Sequence, residues 1–103
     1  MSKITLIGQD YLVAPLAATG IDVFACASAR QGCERLTQVI KNKDHSIIFI
    51  TESIAQDFMP EIEAAEKEEV NIVLLPDHKG SLGLFRERLR GLINKAAGAA
   101  KYD

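Results

Sequence analysis

Tryptophan is absent from this chain of 103 residues, and the aromatic complement is four Phe and two Tyr. With 48% of its residues hydrophobic, the chain can still build a core, but Ile, Val, Leu and Ala must fill it. A chain of this length forms one domain. Apolar runs long enough to cross a bilayer, about 20 residues, are missing. The chain also enters a strand pattern within its first residues, which argues against a secretory leader. Cysteine is scarce. Cys26 and Cys33 form neither a CxxC pair nor a zinc-type cluster, and they read as reduced thiols of a cytoplasmic protein, one near a strand end and one near a helix start.

Sequence signals for chemistry are missing as well. Lys79-Gly-Ser-Leu-Gly83 places its Lys before the glycines and lacks the spacing of a phosphate loop, so a Gly/Ser start to a helix is the simpler account, although an anion could sit there. Gly8-Gln9-Asp10 follows the first strand without a dinucleotide fingerprint. His45 and His78 stand far apart, and neither has a companion at metal-ligand spacing. Cys33, near a helix start, is expected to have a lowered pKa, but it lacks the His, Asn or Asp motif of a nucleophile. The third strand ends Ile50-Thr51-Glu52, without the Asp that a phosphoacceptor receiver domain needs. No catalytic, cofactor-binding or metal-binding residue is assigned.

Four short apolar runs are present: Ile4–Ile7, Ile21–Ala25, Ser46–Ile50 and Asn71–Leu75. They are rich in β-branched residues. The last two are nearly continuous, as parallel strands covered on both faces are. Helix-length segments separate them. Tyr11–Thr19 holds Pro15 and is closed by Gly20, a C-cap candidate. Ala29–Asn42 has Ser28 as N-cap candidate. The third helix starts at Thr51 or Ser53, buries Ile54, Phe58 and Ile62, and is kinked or interrupted by Pro60. The fourth starts near Ser81, and the Ala96–Ala100 tail is expected to fray. The order β-α-β-α-β-α-β-α predicts an α/β fold: a small open four-stranded parallel sheet with helices on both faces, Rossmann-like or flavodoxin-like in its βα repeats, plus a C-terminal amphipathic helix. The expected division is a globular body over 1–78 and, over 79–103, a hinge loop at Gly80-Ser81 and a projecting helix.

Charge is polarised along the chain. Glu52–Glu69 holds seven acids against Lys67, net −6, whereas Lys79–Asp103 holds six bases against Glu87 and Asp103, net +4. Such asymmetry steers partners rather than shaping a fold. On the fourth helix Leu82, Phe85, Leu89, Leu92, Ile93 and Ala96 share about a third of the circumference. Arg86 and Arg90 flank one side of this stripe and Arg88 and Lys95 the other. Packing on the home sheet and docking on a partner helix are both open, and they coexist if the start packs at home and the end projects. The narrow stripe without Trp argues against a membrane-surface helix, and the lack of interleaved aromatics against nucleic acid. The residues expected to meet a partner are Ser81, Leu84, Arg86, Arg88, Arg90 and Ile93.

The segment Ile72-Val-Leu-Leu-Pro-Asp-His-Lys-Gly-Ser-Leu-Gly83 followed by Arg86–Ile93 resembles the F subunit of the A/V-type (vacuolar-type) rotary ATPases, whose members typically have a strand ending in Pro, a Lys-Gly-Ser-hydrophobic-Gly run and a basic C-terminal helix. Ile4-Thr-Leu-Ile-Gly8, Gly20-Ile21 and Ile47-Ile-Phe-Ile-Thr-Glu-Ser-Ile-Ala55 are similar to other motifs of that family, so the resemblance spans nearly the whole chain. Gln9, where an acid is common, and Val13-Ala-Pro-Leu16, in place of Gly-Phe-Arg-Leu, depart from it. The resemblance implies a non-catalytic component of the central rotor stalk on the cytoplasmic side, peripheral to the membrane and not inserted in it. The globular part would bind a coiled-coil shaft subunit, and the C-terminal helix would lie along the shaft and contact the catalytic ring. The protein would couple ATP hydrolysis or synthesis to H⁺ or Na⁺ movement. The competing reading is a degenerate receiver-like regulatory domain that senses a small ligand.

Overall fold

A computed structural model describes residues 4–14, 21–42, 47–77, 85 and 87–91. Four strands form one parallel sheet: β1 (Ile4–Gln9), β2 (Asp22–Cys26), β3 (Ile47–Thr51) and β4 (Ile72–Leu75), in the order β2-β1-β3-β4. Helix α1 (Asp10–Val13) follows β1, α2 (Ala29–Asn42) follows β2, and α3 (Glu52–Ala55), a 3₁₀ turn (Gln56–Phe58) and α4 (Met59–Lys67) lie between β3 and β4. Residue 85 and residues 87–91 are helical. This is the α/β architecture the sequence pattern predicts. The expected helix ends at Thr19 and Gly20 lie outside the described residues.

The strands explain the apolar runs. All five residues of central β3 are buried, whereas edge strand β2 is largely half-buried. Alternate residues of each strand feed two cores. On one face Ile7, Ile48, Ile50 and Ile72 pack with Leu36 and Val39 of α2, Ile54 of α3, Phe58, and Ile62 of α4. On the other, Leu6, Phe49 and Leu75 pack with Leu12 and Val13 of α1 and with Phe85 and Leu89. Helices therefore cover both faces, and a near-continuous hydrophobic strand is what such burial requires.

Local chemistry sets the helix ends. Ser28 Oγ accepts the Gln31 N–H at 3.3 Å, as an N-cap does, and Gln31 Oε1 accepts the Ala27 N–H at 2.8 Å. Pro60 lies in the first turn of α4, where its missing N–H costs nothing, and the interruption precedes it as the 3₁₀ turn. Helix α4 ends in a Schellman arrangement: the Val70 N–H bonds to Ala65 O at 3.2 Å and the Glu69 N–H to Glu66 O at 3.0 Å. Glu69 takes the left-handed position, φ 67, that glycine usually fills.

Two glycines test opposite sides of the packing argument. A Cβ on buried Gly8 would lie 2.7 Å from Thr51 Cγ2 and 2.8 Å from Val13 Cγ1, whereas a Cβ on Gly91 would meet nothing within 4 Å. Gly8→Ala is expected to destabilise the fold by about 1–3 kcal/mol through overpacking. Gly91→Ala is expected to stabilise its helix by roughly 0.5–1 kcal/mol. Urea denaturation of the two variants checks both signs.

Candidate functional site

The strand order reverses direction between β1 and β3, and the crevice beyond their carboxyl ends is where open α/β sheets usually place a ligand. In this chain, four side chains at these strand ends bond to one another. Thr51, fully buried at the end of β3, donates its hydroxyl to Gln9 Oε1 at 2.7 Å. Gln9 Nε2 donates in turn to Asp77 Oδ2 at 2.7 Å. The orientation of the Gln9 amide follows from chemistry: a carboxylate only accepts, so the NH₂ group must face Asp77 and the oxygen must face Thr51.

The other oxygen of Asp77 is also engaged. Oδ1 accepts the Ser53 backbone N–H at 3.1 Å and the Ser53 hydroxyl at 2.9 Å. Ser53 is the second residue of α3, so its N–H has no partner inside the helix. Thr51 sits at the N-cap position, yet its side chain makes no capping bond, because the hydroxyl is committed to Gln9. A carboxylate from beyond β4 caps α3 instead, and negative charge suits a helix start. Three hydrogen bonds thus converge on Asp77. Each bond to a charged acceptor contributes about 1.5–3 kcal/mol, and the contributions do not simply add. A shallow open groove lined by Glu52, Ser53, Gln56, Met59 and Leu74 lies beside this cluster.

Sequence reasoning had no means of assembling these four residues. Gln9 reads as a departure from a motif, Thr51 and Ser53 as alternative helix starts, and Asp77 as part of a loop. Only the strand order makes the ends of β1 and β3 neighbours. The available signal was the set of polar residues just after apolar strands.

Of the residues expected to meet a partner, Arg88 and Arg90 are described. Both are exposed on the helical stretch whose Phe85 and Leu89 are buried against the sheet. The start of the apolar stripe therefore packs at home. Burying those two side chains contributes roughly 3–6 kcal/mol as an upper bound. Ser81, Leu84, Arg86 and Ile93 lie outside the described residues, as do His45, His78, the Lys79–Gly83 run and the Gly80-Ser81 hinge. The acids of the middle segment face solvent on the opposite side of the sheet: Asp57, Glu61, Glu63, Glu66, Glu68 and Glu69 are exposed.

Among the described residues no group of three or more His, Cys, Asp or Glu could hold a metal, and no helix is long and apolar enough to cross a membrane. β3 ends at Thr51, where a receiver would carry its phosphoacceptor. The expectation of a lowered Cys33 pKa is corrected. Cys33 lies within α2, one turn past its start, where burial first, then Glu61 and Glu34, push the thiol up. Cys26 is also raised, by burial, with a partial offset from Arg35. Both thiols are free.

Comparison with known proteins points one way. A family model described as "ATP synthase (F/14-kDa) subunit" matches residues 4–93. The chain is 31% identical over 97 residues to the F subunit of the V-type ATP synthase of Clostridium botulinum, covering 93% of each chain. It is 30% identical over 100 residues to the corresponding V-type ATP synthase protein of Fusobacterium nucleatum, covering 96% of this chain and 94% of that one. The counterpart in Clostridium perfringens is 26% identical over 97 residues.

The raised thiols set an expectation for reactivity. A raised pKa leaves less thiolate at neutral pH, so alkylation of Cys33 by iodoacetamide is expected to be slower than that of a free cysteine peptide and to keep rising with pH after the peptide's rate has levelled off. Rates measured against pH by mass spectrometry check this.

Proposed function

Because this chain belongs to the family of the ATP synthase (F/14-kDa) subunit, we propose that it is the non-catalytic F subunit of the central rotor stalk of a V-type or A-type ATPase. In that role it couples ATP hydrolysis or synthesis in a catalytic ring to H⁺ or Na⁺ movement through a membrane rotor. The observation that carries this reading is the extent of the match, which runs from the first strand through the last helix.

The working parts follow the division at 78/79. The body, residues 1–78, binds a coiled-coil shaft subunit. The segment 79–103 is a hinge loop and an arm that lies along the shaft and reaches the catalytic ring. Ser81, Leu84, Arg86, Arg88, Arg90 and Ile93 form the contact surface. Arg88 and Arg90 are exposed while Phe85 and Leu89 face the sheet, an arrangement that leaves the cationic side of the helix open to an acidic partner. The protein works on the cytoplasmic side, held at the membrane only through its complex.

Mixing the chain with its coiled-coil shaft subunit at micromolar concentration is expected to give a stable complex on gel filtration, and no complex would overturn the reading. Arg86→Glu combined with Arg90→Glu is expected to weaken the complex or its ATPase coupling by at least about tenfold at low salt and by less at high salt, because rim charges are screened. Arg90 is exposed, so its reversal leaves the melting temperature nearly unchanged. Unaltered binding and coupling would remove these arginines from the interface.

A further inference from the structure

β4 is an edge of the sheet: among the described residues its backbone pairs with β3 alone. The ladder fixes which of its groups turn outward. The Ile48 N–H donates to Asn71 O at 2.9 Å, and Ile48 stands opposite Ile72. In a parallel pair this directs the backbone groups of residues 71, 73 and 75 towards β3. The N–H and C=O of Ile72 and Leu74 therefore point the other way, and among the described residues no group bonds to them. Pro76, next in that outward series, has no N–H, so the open edge ends there. Edge strands are commonly blunted by charged side chains or a bulge. Ile72-Val-Leu-Leu75 has no charge, and its register with β3 is unbroken.

A groove of ≈ 380 Å³, lined by Leu74 and Met59 with Glu52, Ser53 and Gln56, flanks this edge. Leu74 and Met59 are half-buried against the core under α2, α3 and α4, so the groove has an apolar floor beside the outward N–H and C=O of Leu74. Glu63 and Glu66 follow Met59 at i+4 and i+7 on α4 and are exposed, so they continue the same side of the helix past the groove. We propose that the β4 edge and this groove form a second docking surface, which takes an extended, cationic segment of another protein as an added strand. Side chains of such a segment alternate between faces. An apolar one enters the groove beside Leu74, and Lys or Arg on the same face meet the side of α4 that carries Glu63 and Glu66. Backbone pairing supplies affinity and the groove supplies selection. A second copy of this chain does not suit the site, because antiparallel pairing of β4 with itself would set two acidic rims side by side. Nor does a helix, whose backbone groups are already paired internally. The surface is therefore separate from the coiled-coil shaft and from the arginines of the last helix, and it goes beyond the stalk reading.

The probe is a capped heptapeptide, Thr-Lys-Thr-Val-Thr-Lys-Thr, which as a strand presents Lys, Val and Lys on one face. Its control has Glu in place of Lys. In the full chain at low salt, the Lys peptide at millimolar concentration is expected to slow amide exchange at Ile72 and Leu74 by about threefold or more, because their N–H groups gain partners. Val73 and Leu75, already bonded to β3, are expected to change little. The Glu peptide is expected to leave all four unchanged. Glu63→Lys combined with Glu66→Lys alters only exposed side chains, so the fold is kept. This variant is expected to bind the Lys peptide about fivefold more weakly at low salt, with a smaller difference at high salt. Exchange at Ile72 and Leu74 that does not respond to the Lys peptide overturns the proposal. So does equal slowing by the Glu peptide, equal slowing along β2 at the opposite edge, or undiminished binding by the charge-reversed variant. Slowing at Ile72 and Leu74 that grows with protein concentration without any peptide makes a second copy the occupant, and it also overturns the proposal. No shaft subunit enters the experiment, so its failure leaves the complex-formation result standing.

Discussion

The absence of a side chain at Gly8 is the constraint on which the upper edge of this sheet depends. The space that a Cβ would take is already occupied by Thr51 Cγ2 and Val13 Cγ1. This close approach lets α1 fold down directly after β1 and lets Thr51 sit fully buried beside it. A buried hydroxyl needs a partner, and Gln9, the next residue after Gly8, supplies one. The amide of Gln9 then has a donor to spare, and Asp77 receives it. A steric fact at the end of β1 thus passes through a hydroxyl and an amide to a carboxylate just past β4.

The two cores divide the labour. The larger cluster seals α2, α3 and α4 against one face and leaves their acids in solvent. Among the described residues, the smaller one takes Leu12, Val13 and Ile21 from the first part of the chain outside β1, with Val23 beside them, and it includes Phe85 and Leu89. Phe85 and Leu89 by themselves contribute a few kcal/mol, a small quantity beside the reach of a protein interface. Gly32 shows the contrasting case: a Cβ there would meet Ile54 Cγ2 at 2.6 Å, so α2 lies too tightly on α3 for either to be the moving part.

How much of this was legible follows from where the information resides. β3 and α2 were readable because their signals are local: a continuous apolar run, and a Ser ahead of a helical repeat. The Pro60 interruption was readable for the same reason, since ring geometry needs no tertiary context. The polar cluster was not, because no local pattern links Gln9 to Asp77. Their meeting depends on β1 and β3 becoming neighbours and on β4 ending level with them. The Cys33 expectation went wrong on a similar point. A residue near a helix start reads as electropositive, but the acid of α4 that faces it, Glu61, is contributed by a segment 28 positions away. Conversely, the resemblance to the rotary-ATPase stalk family was readable because motif order along the chain survives even when each motif alone is weak.

The separation of charge gains a physical meaning from the layers. The acidic helix and the basic helix come from consecutive thirds of the chain, yet they lie on opposite faces of the sheet. Phe85 and Leu89 hold the described part of the last helix to the sheet by apolar contact, while Arg88 and Arg90 are exposed. Exposed cations beside an occupied apolar face act first through long-range attraction, so an acidic surface would be felt before those apolar contacts were disturbed.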